Sequence, residues 1–152
     1  MPEPHIYIDA DGCPVKDEVY KVAGRYGLHV TVVANKWMRT PEDDSVVMEV
    51  VGGGFDEADD WIVEHCGVDD IVIAIDIPLA DRCLKKSARV LGYKGRVFTV
   101  EGIGDALANR EIAANLRDAG VMTGGPAPFD KKDRARFLQA LDALVHAARK
   151  GR

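Results

Sequence analysis

The sequence of 152 residues has no apolar run close to the roughly 20 residues that span a bilayer, and its longest strand-like apolar run is Ile71–Ile75. The opening Met-Pro-Glu-Pro lacks the basic and apolar regions of a signal peptide. Its three cysteines show no CxxC spacing, and its four scattered histidines form no HExxH motif. We therefore expect a cytoplasmic protein with reduced thiols, whose chemistry is not centred on cysteine or histidine.

A positive net charge is also absent, since the formal charge is −5 at pH 7. Taken alone, this balance argues against a nucleic-acid partner. The charges are nevertheless segregated along the chain. Residues 42–81 contain 13 Asp and Glu but no Lys or Arg, whereas residues 82–96 contain six Lys and Arg but no acid. A single charge run usually forms a solvated helix face, but the sharp boundary after Asp81 also fits a basic surface beside an acidic one.

Apolar, β-branched segments alternate with segments of helical periodicity along the chain. Strands are predicted at His5–Asp9, His29–Ala34, Ser45–Val51, Asp70–Asp76 and Arg96–Val100. Helices are predicted at Pro14–Tyr26, from Asp56 to Gly67, and at Leu79–Leu91, Gly104–Ala119 and Lys131–Ala148. This alternation predicts an α/β fold with a mainly parallel sheet of four to five strands and helices on both faces, in a single domain spanning residues 1–152.

Local motifs refine these elements. Asp56 with Asp59, and Asp130 with Asp133, have the three-residue spacing of a helix-capping box. The Val-rich segment Ser45–Val51 is expected to be an edge strand or to form a hairpin with its neighbour.

Two predicted strands end in the same way. Residues 6–9 and 73–76 both read Ile-x-Ile-Asp, and both are followed by a proline and a second carboxylate, Asp11 or Asp81. Aspartate is a poor strand former, so its presence at both ends needs a reason. In an open parallel sheet the carboxyl ends of the strands face the ligand crevice. If the two strands are neighbours, Asp9 and Asp76 meet there.

A third acidic group, Phe-Asp-Glu-Ala-Asp-Asp at residues 55–60, is expected to join them. Several carboxylates at close range repel one another, and a bound Mg²⁺ or Mn²⁺ offsets that repulsion. Such a cation can activate water and stabilise the leaving oxygen of a phosphodiester. The simpler alternative is that these aspartates cap helix amides. The candidate metal ligands are Asp9, Asp56, Asp59, Asp60, Asp76 and Asp81, and the candidate catalytic residues are Asp9, Asp11, Asp60 and Asp76.

Basic residues in three places are candidates for binding a phosphate backbone, because nucleic-acid affinity comes largely from Lys and Arg. They are Lys36 and Arg39 on either side of Trp37, then Arg82, Lys85, Lys86 and Arg89 on the expected rim of the acidic crevice, and finally Lys131, Lys132, Arg134 and Arg136 at the start of the last helix. Trp37 is a candidate for stacking on a base. Alternatively, Trp37 and Met38 cover the edge of the core. For the basic residues, the alternative to phosphate binding is that they are ordinary solvent-exposed charges.

Four motifs along nearly the whole chain resemble, in order, those of the bacterial YaiI/YqxD family: DADGCPVKDEVYKVA, VVGGGFDEADDWI, DIVIAIDIPLA and TGGPAPFDKKDRARFLQALD. This family of uncharacterised proteins is understood to be similar in fold to PIN and NYN nucleases, α/β domains whose clustered acids bind Mg²⁺ or Mn²⁺ and which cut RNA. Typical PIN domains lack the TGGPAPFDKKDRARF segment.

The resemblance also implies roles for individual acids. Asp9 looks like the first-strand acid of that superfamily, and Asp76 like its strand-end acid, with Asp81 as a further carboxylate. The middle acid is one of Asp56, Asp59 and Asp60.

These observations predict a metal-dependent phosphodiesterase that resembles a ribonuclease and acts on RNA or another phosphate-bearing substrate. One alternative is a haloacid-dehalogenase-like phosphatase, in which Asp9 forms an aspartyl-phosphate, Asp11 is the acid/base, and Thr31 and Lys36 take the remaining roles. The other is a non-catalytic RNA- or nucleotide-binding module. The acidic cluster argues against that module, because carboxylates repel phosphate unless a metal intervenes.

Overall fold

The computed structural model describes residues 3–54, 56–105, 107–108 and 129–151. The strands are β1 (Ile6–Asp9), β2 (Val30–Ala34), β3 (Val46–Val50), β4 (Ile71–Ile73), β5 (Arg89–Leu91) and β6 (Val97–Phe98). The helices with defined bounds are α1 (Lys16–Tyr26), α2 (Glu57–His65), α3 (Ile77–Lys85) and α4 (Lys131–Arg149), and a further helical segment begins at residue 100. In the described part of the chain, no helix has both the length and the apolar character that a membrane crossing requires.

The described strands form one sheet in the order β3-β2-β1-β4-β5-β6. All neighbouring pairs are parallel except β5 and β6, which are antiparallel. The prediction of a mainly parallel sheet is confirmed. The strands that begin near His5 and Asp70 are parallel neighbours, which is the condition for Asp9 and Asp76 to meet. The sheet has one strand more than the upper limit of four to five that was predicted.

Both faces of the sheet are covered by helices, as predicted. Ile6 and Ile8 of β1 pack on the face covered by α1 and α4, whereas Tyr7 points to the face covered by α2 and α3. The same alternation holds in β4, where Val72 faces opposite to Ile71 and Ile73. Burial on both faces explains why these strands read as continuous apolar runs rather than as alternating polar and apolar residues.

Helix α4 agrees closely with its predicted range. The backbone amide of Asp133 donates to Asp130 Oδ1 at 2.9 Å, and the amide of Asp130 donates to Asp133 Oδ2 at 3.0 Å, so the capping box is present. Phe137, Leu141 and Val145, spaced four residues apart on one face of α4, are fully buried against the sheet.

The third predicted helix, Leu79–Leu91, is wrong at both ends. The helix begins at Ile77 and ends at Lys85, and Arg89–Leu91 is strand β5. The chain leaves the helix through Ser87, whose φ of 64° lies in the left-handed region, while the Ala88 amide donates to the Cys83 carbonyl. This is a Schellman-type ending, in which glycine is the usual left-handed residue. A serine there gave no sequence signal for the end of the helix.

The Asp70–Asp76 strand is also corrected, because β4 ends at Ile73 and Asp76 is the N-cap of α3. Its Oδ1 accepts a hydrogen bond from the Leu79 amide at 2.9 Å. The capping box expected from Asp56 and Asp59 does not form. Asp56 precedes α2 with a φ of 63° and makes no side-chain cap.

The remaining expectations concern the sheet edges and the region before α4. Ser45–Val51 contains β3, an edge strand parallel to β2 rather than half of a hairpin. The Arg96–Val100 strand is shortened to β6, because helical backbone begins at residue 100. Most of the predicted helix Gly104–Ala119 and the segment TGGPAP, residues 123–128, lie outside the described residues.

A pair of glycine substitutions tests the contact between the β5–β6 turn and α4. Gly95 has a φ of 89°, and a Cβ there would lie 2.8 Å from the Arg136 carbonyl oxygen. Gly95→Ala is therefore expected to lower the free energy of unfolding by more than about 1 kcal/mol. Gly24 lies in α1 with open space around its Cβ position, so Gly24→Ala should raise stability by roughly 0.5–1 kcal/mol. Urea unfolding followed by circular dichroism measures both, and equal effects would contradict the Gly95 contact.

Candidate functional site

An acidic cleft of about 380 Å³ lies at the carboxyl ends of β1 and β2. Its wall combines the loop after β1, the residue after β2, and the glycine-rich turn with the first turn of α2. The polar side chains that line it are Asp9, Asp11, Asn35, Asp56, Glu57 and Asp59. The parallel order of the sheet explains this convergence, because all of these loops leave the same edge.

Asp9 ends the central strand and is only partly exposed. Its pKa is raised to about 7, first by burial and then by repulsion from Asp59, Asp76 and Asp11. Among the described residues, no hydrogen bond to the Asp9 carboxylate lowers this pKa. Asp9 is therefore a carboxyl group held where its negative charge is poorly stabilised.

Asp59 is the acid of α2 that interacts with Asp9. Its pKa is raised to about 6 by burial and by repulsion from Asp76 and Asp56, which the Arg82 guanidinium partly offsets. Asp9, Asp59 and Asp76 thus belong to one electrostatic group, although they come from β1, α2 and the start of α3. Asp76 caps α3 through Oδ1, and its second oxygen takes no part in that bond.

The other candidate acids have different surroundings. Asp60 is exposed and forms an ion pair with Arg82 at 2.8 Å. Asp81 pairs with Lys85 within α3 at 3.0 Å. Asp11 accepts a hydrogen bond from the Asn35 amide at 3.0 Å, which connects the loops after β1 and β2. Asp56 lines the cleft and is exposed.

The arrangement of these acids is not a preformed metal cage. In the part of the chain that the structure describes, no group of three or more carboxylate, imidazole or thiol side chains has the geometry to hold a metal ion. The cleft instead offers the half-buried Asp9 with Asp59 and Asp76 nearby.

The predicted basic rim is only partly present. Arg82 lies near the acidic group, since its charge acts on Asp59. Lys86 donates to the Val63 carbonyl of α2. The expectation for Arg89 is corrected: it begins β5 and pairs with Asp69 at 3.1 Å, at the amino end of the parallel strands. The cleft lies at the opposite edge of the sheet.

The two other basic groups lie in different places. Lys36 and Arg39 are exposed in the loop that follows the cleft residue Asn35, and Trp37 between them is 72% exposed. Trp37 therefore does not cover the core, whereas Met38 packs against it. Lys131 is exposed at the start of α4, and Arg134 pairs with Glu18 of α1 at 2.9 Å.

Thr31 does not face the cleft, so the phosphate-binding role that the phosphatase alternative gives it is wrong. Its side chain is buried within β2, and its hydroxyl lies 2.7 Å from His5 Nε2. In the register, Thr31 pairs with Tyr7, two residues before Asp9. The hydroxyl is therefore inside the fold rather than at the cleft.

Three residues at the site were missed from the sequence. The backbone amide of Asn35 donates to Asp11 Oδ2, and the hydroxyl of Tyr93 donates to the Asp9 backbone carbonyl at 3.0 Å. The Glu57 carboxylate occupies the space where Gly52 and Gly54 would otherwise carry side chains. The only available signal was the Gly-Gly-Gly run just before Glu57. The absence of side chains at Gly52 and Gly54 leaves room for this carboxylate.

Comparison with known proteins decides the family. A family model described as "Uncharacterized BCR, YaiI/YqxD family" matches residues 7–147. The chain belongs to the YaiI/YqxD family. No solved structure matches it.

Relatives of this YaiI/YqxD chain match over almost their whole length. A UPF0178 protein of Paramagnetospirillum magneticum is 58% identical over 145 residues, covering 95% of this chain and 96% of the relative. One of a Caulobacter species is 56% identical with the same coverage, and one of Sphingopyxis alaskensis is 51% identical over 152 residues, covering 99% of both. The names of these relatives state no activity.

The burial of Asp9 and its repulsion from neighbouring carboxylates predict how the stability of the metal-free protein depends on pH. The folded chain keeps the Asp9 proton up to about pH 7, whereas an unfolded aspartate releases it near pH ~4. Because the folded state binds more protons in this window, stability should fall as pH rises from about 4 to about 7. Asp9→Asn should weaken that fall and raise the free energy of unfolding at neutral pH by roughly 1–3 kcal/mol.

Urea unfolding in EDTA at several pH values measures this effect. Asp44→Asn is the matched control, since Asp44 is exposed in the loop before β3 and its replacement should change stability by less than about 0.5 kcal/mol. An Asp9→Asn protein with the same pH dependence as the parent would contradict the account of Asp9.

Proposed function

We propose that this YaiI/YqxD protein is a metal-dependent phosphodiesterase that cleaves RNA in the cytoplasm, with its active site in the acidic cleft. The observation that carries the proposal is the position of Asp9. A half-buried carboxylate at the carboxyl end of the central parallel strand, surrounded by Asp11, Asp59 and Asp76, is costly for a protein to maintain without a cationic ligand. Such perturbed carboxylates concentrate at functional sites.

The residues present fit Mg²⁺ or Mn²⁺. Mg²⁺ commonly binds through one or two carboxylates and keeps several waters, so a preformed cage of three side chains is not required. Asp9 and Asp59 would hold the ion from β1 and α2, with Asp76 as the third carboxylate. When bound, the cation supplies activation of water and neutralisation of charge on the phosphodiester. A PIN-like fold belongs to the same proposal, and the mainly parallel α/β sheet is compatible with it.

The chain's own residues have separate tasks in this proposal. Asp76 stays fixed because its Oδ1 caps α3. Asp11 is held in the wall of the cleft by the backbone amide of Asn35, beside Asp9. Arg82, paired with Asp60, limits the negative potential that a phosphate meets on approach. Lys36 and Arg39 extend beyond Asn35 as exposed cations for the backbone of the substrate.

The direct test is cleavage of a labelled single-stranded RNA with Mn²⁺, with Mg²⁺, or with EDTA. We expect cleavage only with metal, and a loss of about 10²-fold or more in Asp9→Asn and Asp59→Asn. Asp76→Asn is a suitable third variant, because asparagine is also a good N-cap and should preserve α3. Asp44→Asn should retain full activity.

Three results would contradict the proposal. Undiminished cleavage in the Asp9→Asn, Asp76→Asn double variant would remove both acids from the mechanism. Beryllium fluoride trapped on the Asp9 carboxylate would favour the phosphatase. RNA binding that is indifferent to metal, without cleavage, would favour the non-catalytic module.

A further inference from the structure

A second cavity of about 420 Å³ lies on the other side of the same strand ends. Its walls are mostly apolar, and the residues that matter here are Pro14, Ile75, Ile77, Tyr93, Phe98 and Phe129. We call this cavity the apolar pocket. Its volume is within the range of about 300–1,000 Å³ that is typical of small-molecule sites.

Several residues that line the apolar pocket are chain neighbours or hydrogen-bond partners of the acids at the cleft. Ile75 and Ile77 line the pocket on either side of Asp76 in the chain, and Gly12 lines it directly after Asp11. Tyr93 lines the pocket, and its hydroxyl donates to the Asp9 carbonyl at 3.0 Å. The two cavities therefore flank the end of β1, and neighbouring residues of the loop after it line one cavity and the other.

The mouth of the pocket is apolar and accessible. Ile75 is 57% exposed although it lies between the buried Ala74 and the cap residue Asp76. A large aliphatic side chain in that position gains little from folding, because most of its surface stays in water. A ligand that covers Ile75 would remove this apolar surface from water and would gain the free energy of burying it.

The charges around the pocket match an aromatic ligand that carries a phosphate. The Arg96 guanidinium lies 5.0 Å from the centre of the Phe98 ring, and that of Arg134 lies 4.8 Å from the centre of the Phe129 ring. Arg134 is already bound to Glu18 and to the Pro14 carbonyl, whereas Arg96 lines the pocket together with Tyr93, Phe98 and Phe129. Aromatic rings beside a cation form the kind of surface on which a nucleobase stacks while the cation attracts a phosphate. A nucleotide joins its ring to its phosphate through one sugar, a short link that suits two adjacent cavities.

We propose that the apolar pocket binds one unpaired nucleobase of the RNA, beside the phosphate held at the acidic cleft. This inference rests on the proposed function and narrows the substrate to single-stranded RNA, because a base inside a duplex is stacked and paired and cannot enter the pocket. Base–aromatic stacking contributes about 1–3 kcal/mol per base, so the ring should strengthen binding by about tenfold or more.

The test separates base binding from catalysis. Isoleucine methyl resonances are followed by NMR in EDTA while AMP or ribose 5-phosphate is added. We expect AMP to shift the Ile75 and Ile77 methyl signals at about tenfold lower concentration than ribose 5-phosphate, and to leave Ile71, which is fully buried in β4, in place. Equal responses to the two compounds, or no response to AMP, would overturn the proposal even if RNA is cleaved.

Variants and a modified RNA complete the design. Ile75→Ser should weaken AMP binding by about fivefold, whereas Val68→Ser, at a 72% exposed position before β4, should not change it. An abasic residue beside the scissile phosphate should slow cleavage at that bond by about tenfold in the parent protein, and by less in Ile75→Ser. Cleavage indifferent to the abasic residue would overturn the proposal. An AMP response without any RNA cleavage would support the pocket and contradict the proposed function.

Discussion

The position of β1 between β2 and β4 determines everything that surrounds Asp9. Parallel pairing on both sides aligns three strand ends at one edge, so the loop after each strand contributes to the same surface. Helices on both faces then limit the exposure of that edge, and the pKa of Asp9 rises to about 7 as its charge is deprived of water and faces other carboxylates. The acidic cleft is a direct consequence of this topology.

The same edge also explains why two cavities of opposite character lie side by side. On the side of β2 and α2 the wall is built from polar loop residues, including Asn35 and Asp59. On the side of β5 and α4 it is built from Tyr93, Phe98 and Phe129. Tyr93 connects the two, since its ring lines the apolar pocket and its hydroxyl supports the backbone of Asp9. In the proposed function, a cation held by the carboxylates would let a ligand with a phosphate at one end and an aromatic ring at the other fit this arrangement.

The sequence predicted the features that depend on local pattern and strand chemistry. The matched Ile-x-Ile-Asp segments correctly indicated adjacent parallel strands, and the helical periodicity with the Asp130 capping box correctly located α4. The sequence-based prediction failed where contacts between distant parts of the chain determine the local structure. Ser87 adopts a left-handed conformation that glycine usually marks, so the sequence predicts helix where the structure has β5. Asp59, rather than Asp56 or Asp60, is the acid of α2 whose charge acts on Asp9. This depends on how α2 packs against the sheet, which the spacing of the three acids in the sequence does not reveal.

The most direct test of the central claim is the ionisation of Asp9 with and without Mg²⁺, followed through the carboxyl carbon of labelled aspartate by NMR. We expect Asp9 to titrate near pH 7 in EDTA, well above an ordinary aspartate. With saturating Mg²⁺ the midpoint should fall below about pH 5, because a bound cation favours the charged carboxylate and offsets the repulsion from Asp59 and Asp76. A midpoint near pH 7 that Mg²⁺ leaves unchanged would show that this carboxylate binds no cation and would contradict the account.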